Sequence, residues 1–267
     1  MSQTKTIHMI AGLPRSGSTL LCNILNQNPR FHATSTSGIL DIVLSIRNGW
    51  ENNVSFKASP NKEGKNAVIK QMIPSYYSTV DRPVVFDKSR GWGAHIEMAE
   101  HIFDRKVKVL VPVRNIVDIL ASFEKLFRSL SHEWQFPQEK TNYAEWQTVE
   151  GRAGIWMRND QPVGSAYNLI RDAISRGNGD RLCFIEFEGL TRNPKETMQQ
   201  VYAFLEEEYF EHDFDNVEQV THENDDMHGI PGLHTIRPKV EPVVVDAKSL
   251  IGEAAFNRFQ DAQFWRT

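Results

Sequence analysis

Short apolar runs recur along the chain and are separated by mixed polar segments. Four of these runs are rich in Val, Ile, Leu or Phe and do not alternate with polar residues: 6–12, 83–87, 108–113 and 182–187. Continuous apolar runs of this length indicate strands that are covered on both faces, as strands in a parallel sheet are. We therefore predict four buried parallel strands.

Helical patterns lie between the predicted strands. In residues 20–25 and 116–127 the apolar positions recur at the spacing of one helix face, and Asn-Pro-Arg at 28–30 should end the first helix. Strands that alternate with helices predict an α/β fold with a central parallel sheet flanked by helices.

The chain is best interpreted as a single domain over residues 1–267. Residues 128–165 predict a helical insertion, and its Trp134, Trp146 and Trp156 are interpreted first as core residues. The acidic stretch 206–226 is expected to be solvated surface. Residues 227–242 are dense in Gly and Pro and predict a flap-like loop.

Composition excludes several classes of protein. The chain is 40% hydrophobic and 24% charged, with a net charge of −4 and a pI near 6.2, so it can form a core but lacks the basic balance of a nucleic-acid binder. Two cysteines, Cys22 and Cys183, argue against a disulfide framework. With no apolar leader and no run long enough to span a membrane, we expect a soluble cytoplasmic protein.

The stretch HMIAGLPRSGSTLLCNIL (8–25) is typical of a phosphate-binding loop between a strand and a helix. Gly12 and Gly17 fit the pattern G-x-x-x-x-G-K-[ST], but Ser18 stands where that pattern has lysine. Helix N-terminal amides attract anions, and Arg15 adds a charge. A loop without the lysine favours a single phosphate bearing one further group over a triphosphate. The candidate ligand-binding residues are Pro14, Arg15, Ser16, Gly17, Ser18 and Thr19.

A second anion site is predicted after the strand at 108–113. Arg114 follows that strand directly, and Ser122 lies about two helical turns further on. Open α/β sheets bind ligands at this edge. Two separate phosphate sites, one around Arg15 and one at Arg114 and Ser122, imply a nucleotide phosphorylated at two places.

These motifs resemble those of sulfotransferases, especially the tyrosylprotein and related bacterial branches. GLPRSGSTLL resembles their 5′-phosphosulfate loop and VPVRNIVDILASF their 3′-phosphate motif. CFIEFEGLTRNPKETMQQVYAFLE (183–206) is similar to their late strand–helix segment. The resemblance implies a P-loop-like nucleotide-binding fold and 3′-phosphoadenosine 5′-phosphosulfate (PAPS) as cofactor.

The resemblance also implies roles for individual residues. Lys88, in VVFDKSRGW, matches a lysine that contacts the group being transferred, and Arg15 would share its catalytic role. Arg237, with Lys239, resembles a late basic loop that closes over the 3′-phosphate. Because cations and amides can stabilise the leaving phosphate, no metal is expected.

The general base is where the sequence departs from the family. The resemblance implies a glutamate about 21 residues after the loop arginine, but that place is Thr36. Asp41 is the tentative base, with His32 and Asp87 as alternatives; another residue, or an acceptor that needs no base, also stays open. The departure also weakens the expectation of a protein tyrosine as acceptor.

The sequence therefore predicts an enzyme that moves a sulfuryl group from PAPS to a hydroxyl acceptor, or as a second choice an amine, by in-line displacement. Two alternatives stay open: a P-loop kinase for a small molecule, and a non-catalytic module that binds adenosine 3′,5′-bisphosphate (PAP). The acceptor and the oligomeric state cannot be assigned from the sequence.

Overall fold

A parallel sheet forms the centre of the fold. The structure is a computed structural model that describes residues 5–130, 137–228, 230 and 232–266. The strands are β1 (Thr6–Ile10), β2 (Phe31–Thr36), β3 (Val84–Lys88), β4 (Val109–Val113) and β5 (Leu182–Glu186). Their order is β2-β3-β1-β4-β5, and all neighbouring pairs are parallel.

Helices fill the connections between the strands. They are α1 (Ser18–Asn26), α2 (Ile39–Asn52), α3 (Val54–Ala58), α4 (Lys62–Tyr76), α5 (Ile96–Phe103), α6 (Ile116–Ser129), α7 (Pro137–Thr141), α8 (Tyr143–Trp146), α9 (Val149–Trp156), α10 (Pro162–Ser175), α11 (Phe187–Arg192), α12 (Pro194–Leu205), α13 (Ala247–Ile251) and α14 (Glu253–Phe259). Short 3₁₀ turns cover Arg90–Ala94, Gly179–Arg181, Asp225–His228 and Phe264–Arg266.

The sheet has a hydrophobic core on each face. Met9, Val85 and Val111 point to the side that carries α2, α5 and α6, whereas Ile10 and Leu110 point to the side that carries α1 and α12. Every residue of β3 and β4 is buried. These strands are covered on both faces, so their apolar runs are continuous, and the predicted α/β fold class is confirmed.

Strand β2 was not predicted. Its sequence, FHATST, contains no continuous apolar run, and its first four residues alternate between buried and half-buried positions. It lies at the edge of the described sheet, next to β3. An edge strand needs fewer apolar side chains than a central one, so the pattern that reveals the other four strands is missing here.

The predicted insertion at 128–165 is helical where the structure describes it, over α7, α8, α9 and the start of α10. Trp146 and Trp156 are each 1% exposed, and their rings meet edge to face with centroids 5.9 Å apart. They are core residues. Trp134 lies outside the described residues, and both the insertion and the single-domain assignment stay predictions.

The segment between α12 and α13 follows the surface without strands or α-helices in its described part. Asn23 of α1 anchors it: the amide oxygen accepts from the backbone N–H of Val220 at 2.7 Å and of Thr221 at 3.0 Å, and the amide nitrogen donates to Thr221 Oγ1 at 2.8 Å. The expectation of solvated surface is wrong for Glu223, whose side chain is 8% exposed. Within the predicted flap, Gly229 and Pro231 lie outside the described residues.

Across the described ranges, none of the helices is both long and apolar enough to cross a bilayer.

Candidate functional site

A cavity of about 500 Å³ opens at the carboxyl edge of the sheet. The loop after β1, the ends of β3 and β4, the second turn of α6 and the segment 230–245 line it. The lining contains all but one of the residues predicted to bind a ligand, together with Lys88. Those residues are Pro14, Arg15, Gly17, Ser18, Thr19, Arg114, Ser122 and Arg237. Ser16 is the exception.

The phosphate-type loop is shaped by close packing. Gly17 has φ +83° and caps α1, and a Cβ there would lie 2.6 Å from Cδ2 of Phe187. Ser16 is 1% exposed and donates its hydroxyl to the carbonyls of Leu13 at 2.5 Å and Pro112 at 2.8 Å. The Ser16 hydroxyl therefore holds the loop against β4 instead of facing the cavity, and Gly17 leaves the helix N-terminus open to an anion.

Arg15 joins the two predicted phosphate sites. Its backbone is left-handed, with φ 58°, a conformation that is uncommon without glycine. Its Nε donates to Ser122 Oγ at 3.2 Å, and Nη1 donates to the carbonyl of Leu233 at 2.5 Å. One guanidinium therefore connects the loop, α6 and the flap. The assignment of Arg15 and Ser122 to two phosphate sites stays a prediction.

Arg114 presents a polar group that the protein does not satisfy. The residue is 7% exposed, and its guanidinium lies over the ring of Phe187, 4.5 Å from the centroid. Nη1 donates to the carbonyl of Arg15 at 3.3 Å, but the buried Nε has no hydrogen-bond partner among the residues that the structure describes. Burial lowers the pKa of Arg114, which the charges of Asp118 and Glu188 partly offset. A buried guanidinium with an unsatisfied donor at a cavity wall fits an anionic ligand.

Lys88 ends β3, lines the cavity and forms a buried ion pair behind it. Its Nζ lies 2.9 Å from Oε1 of Glu223, and each side chain is 8% exposed. The same oxygen accepts from the backbone N–H and the hydroxyl of Thr36. Burial would raise the pKa of Glu223, but the charge of Lys88 and the hydrogen bond from Thr36 lower it to about 2. Thr36, where the resemblance implies an acid, thus contacts a carboxylate from a distant part of the chain.

A second pair lies beside this one. His234 lines the cavity, and its Nδ1 lies 2.5 Å from Oδ1 of Asp225 and 3.4 Å from Oε2 of Glu223. The backbone N–H of His234 donates to the other oxygen of Asp225 at 3.1 Å. With Nδ1 directed to carboxylates, a neutral imidazole keeps its lone pair on Nε2. The sequence gives no local signal for Glu223 or Asp225, because both belong to an acidic run.

The three predicted bases do not lie among the cavity residues. Asp41 is exposed on α2. His32 is half-buried within β2, where burial and the charge of Arg82 lower its pKa. Asp87 is fully buried; it accepts from Trp92 Nε1 at 2.6 Å and from the hydroxyl of Tyr77, and burial raises its pKa despite these bonds. The structure therefore does not bring these three candidates to the cavity, and their role as base stays a prediction.

Further cations line the cavity. Arg237 and Lys239 extend from the flap, with side chains 71% and 61% exposed, and lie 4.0 Å from Glu241 and 3.4 Å from Asp215 respectively. Arg90, which the sequence reasoning missed, follows Lys88 in the lining. Within the described part of the chain, no group of three or more His, Cys, Asp or Glu is arranged as a metal site.

The sequence profile described as "Sulfotransferase family" matches residues 9–211, well over half of the chain. The chain belongs to the sulfotransferase family. The part of this sulfotransferase that matches the family includes most of the sheet, the loop around Arg15 and the segment from Arg114 to Ser122. The residues Glu223, Asp225 and His234 lie beyond the matched part.

Solved structures of other sulfotransferases share the fold. The sulfotransferase domain of the olefin synthase from Synechococcus PCC 7002 is 19% identical, with a TM-score of 0.55 over 100% of this chain and 96% of that one. A mouse sulfotransferase, SULT7A1, in a crystal structure with PAP, is 12% identical, with a TM-score of 0.51 over 98% and 84% of the two chains. At such identities the likeness shows the fold alone. No curated protein sequence matches the chain.

Proposed function

We propose that this sulfotransferase moves a sulfuryl group from PAPS to a hydroxyl acceptor, with an amine as second choice. The observation that carries the proposal is the grouping of Arg15, Arg114 and Lys88 at the N-terminus of a helix whose loop lacks the lysine of triphosphatases. The structure of the mouse relative with PAP supports the same nucleotide.

The residues fit a doubly phosphorylated adenosine. The amides at the start of α1, with Ser18 and Thr19, would hold the 5′-phosphate. Arg114, through its unsatisfied Nε, and Ser122 would hold the 3′-phosphate, with Arg15 between the two. Arg237 lies on the flap and would cover the nucleotide. These contacts would bind the nucleotide without the lysine that holds a triphosphate in triphosphatases.

When bound, PAPS supplies an electrophilic sulfur with a phosphate leaving group. The acceptor oxygen forms a bond to sulfur as the bond from sulfur to the bridging phosphate oxygen breaks, and that electron pair remains on the phosphate. Lys88 would contact the sulfuryl group and stabilise the charge that develops as its bond to the phosphate breaks, so it would act more strongly in the transition state than in the ground state.

The acceptor proton needs a base, and we assign it to Nε2 of His234. Asp225 lies 2.5 Å from Nδ1 and holds the imidazole with its lone pair on the opposite nitrogen. A carboxylate behind a histidine serves this purpose in many hydrolases. Glu223 is the weaker candidate, because its low pKa makes it a poor proton acceptor.

Calorimetry with PAP, and separately with ATP and Mg²⁺, tests the nucleotide assignment. We expect heat with PAP and much weaker binding of ATP, since the loop lacks the lysine that reaches the β- and γ-phosphates. Sulfuryl transfer from PAPS to a panel of phenols, alcohols and amines should continue in a chelator. ATP-dependent, magnesium-dependent turnover would favour the kinase alternative instead, and PAP binding without any turnover would favour the non-catalytic module.

The substitution His234→Ala tests the base. It should lower turnover by about 10²- to 10⁴-fold, as expected for loss of a general base, and leave the Kd of PAP within a few-fold. His222→Ala is the matched control, because His222 is exposed on the same segment and does not line the cavity. Equal turnover in the two variants would contradict the assignment.

A further inference from the structure

Three donors converge on a single oxygen of Glu223. The backbone N–H of Thr36 lies 2.8 Å from Oε1, the Thr36 hydroxyl 3.0 Å and Nζ of Lys88 2.9 Å. Thr36 and Lys88 are paired residues at the carboxyl ends of the adjacent strands β2 and β3. The sheet edge therefore builds a pocket for an anionic oxygen that includes the positive charge of Lys88.

The chain is built to deliver Glu223 to this pocket. Thr221, two residues earlier, is 6% exposed and is bound through its backbone and hydroxyl to Asn23, which is 1% exposed. Two residues after Glu223, Asp225 binds both the backbone and the ring of His234. With fixed points on both sides, the contact between Glu223 and Lys88 follows from the fold and not from a freely moving surface chain.

The pocket is also where the proposed function needs an anionic ligand group, because Lys88 is the cation assigned to the transferring group. We propose that Glu223 is an internal anion at the sulfuryl subsite, and that Lys88 and Thr36 exchange its Oε1 for a sulfuryl oxygen when the donor binds. This inference rests on the proposed function. Glu223 acts through Lys88 and Thr36, so it is a positioning and specificity-determining residue.

The exchange should affect the binding of PAPS but not that of PAP. PAP lacks the sulfuryl group, so Lys88 and Thr36 keep Glu223 when PAP binds. The carboxylate therefore opposes PAPS and leaves PAP unaffected. Once displaced, Glu223 remains near the proposed base, since its Oε2 already lies 3.4 Å from Nδ1 of His234.

Calorimetric affinities of PAPS and PAP for the full chain test the proposal. Glu223→Gln keeps the side-chain volume and an oxygen that can accept from Thr36, but it removes the negative charge that pairs with Lys88. We expect the PAPS affinity to rise about tenfold, the scale of one charged hydrogen bond, while the PAP affinity changes less than about twofold. Glu218→Gln, on an exposed side chain of the same segment, is the matched charge control and should change neither affinity.

A second variant protects the test against misfolding. Glu223→Asp keeps the charge but is one methylene shorter, so it cannot reach Thr36 and Lys88 together; the PAPS-to-PAP affinity ratio should again rise. Thermal unfolding identifies any variant that does not fold. A ratio that stays unchanged, or a PAPS affinity that falls with that of PAP, overturns the inference. Failure of the unaltered protein to bind either nucleotide would instead overturn the proposed function.

Discussion

Replacement of Arg114 by alanine tests the nucleotide site most directly. The guanidinium is 7% exposed, packs on Phe187, and keeps one buried donor without a protein partner. If that donor serves the 3′-phosphate, Arg114→Ala should weaken PAP far more than adenosine 5′-monophosphate, which has no 3′-phosphate.

The magnitude follows from the contacts. A hydrogen bond to a charged group contributes about 1.5–3 kcal/mol, so the Kd of PAP should rise by about 10- to 150-fold. The unliganded protein should change little in stability. Its fold loses one hydrogen bond of 3.3 Å to Arg15 and the packing on Phe187, but no longer buries this cation. We expect a Tm shift of no more than about 4 °C.

Two measurements on the same samples provide the assay: calorimetric Kd values for both nucleotides, and the rise in Tm that saturating PAP produces. Arg114→Lys is the control, since it keeps the charge but loses the planar guanidinium and its stacking on Phe187. Its Kd for PAP should lie between those of the unaltered protein and of Arg114→Ala. Equal losses for both nucleotides would remove Arg114 from the 3′-phosphate. A large fall in Tm without ligand would show that its main contribution is structural.

Three further outcomes are expected. Lys88→Ala should lower turnover by about 10²- to 10³-fold and change the Kd of PAP much less, and a pure affinity defect would contradict its catalytic role. Gly17→Ala should cost about 1–3 kcal/mol of unfolding free energy, because φ is +83° and the new methyl meets Phe187; an unchanged Tm would refute this. The pKa of Glu223 is about 2 in the folded protein, against an ordinary 4.5. As the pH falls, the unfolded state therefore takes up this proton before the folded state does. The Glu223 carboxylate therefore contributes roughly 3 kcal/mol to the free energy of unfolding above about pH 5, and this contribution disappears toward pH 2. In denaturant titrations, the stability of Glu223→Gln should not show this decrease between pH 5 and pH 2.

The nucleotide end of the site could be predicted from the sequence because its signals are local. Gly12 and Gly17 stand at fixed offsets after an apolar strand, and Arg114 directly follows another apolar strand that ends at the same edge. Neither signal depends on how distant segments pack. The contact between Arg15 and Ser122 was beyond this reasoning, since 107 residues separate the two side chains.

The acid–base end could not be predicted for a related reason. Thr221 is brought to Asn23 across 198 residues of sequence, and this contact places Glu223 and Asp225 against Lys88 and His234, which line the cavity. Their composition resembles that of solvated surface, and nothing in the run of acidic residues marks the buried ones. Sequence proximity to the loop suggested His32 and Asp41 instead, but β2 and α2 carry those side chains away from the cavity.

The anchoring of Val220 and Thr221 by Asn23 has a consequence for the order in which the cavity is completed. During synthesis the phosphate loop, Lys88 and Arg114 are complete long before this last part of the cavity wall exists. A nascent chain that has reached residue 211 would hold the cationic groups with no carboxylate opposite Lys88. The segment that follows α12 therefore completes the cavity wall only after the sheet and its cationic rim have been synthesised.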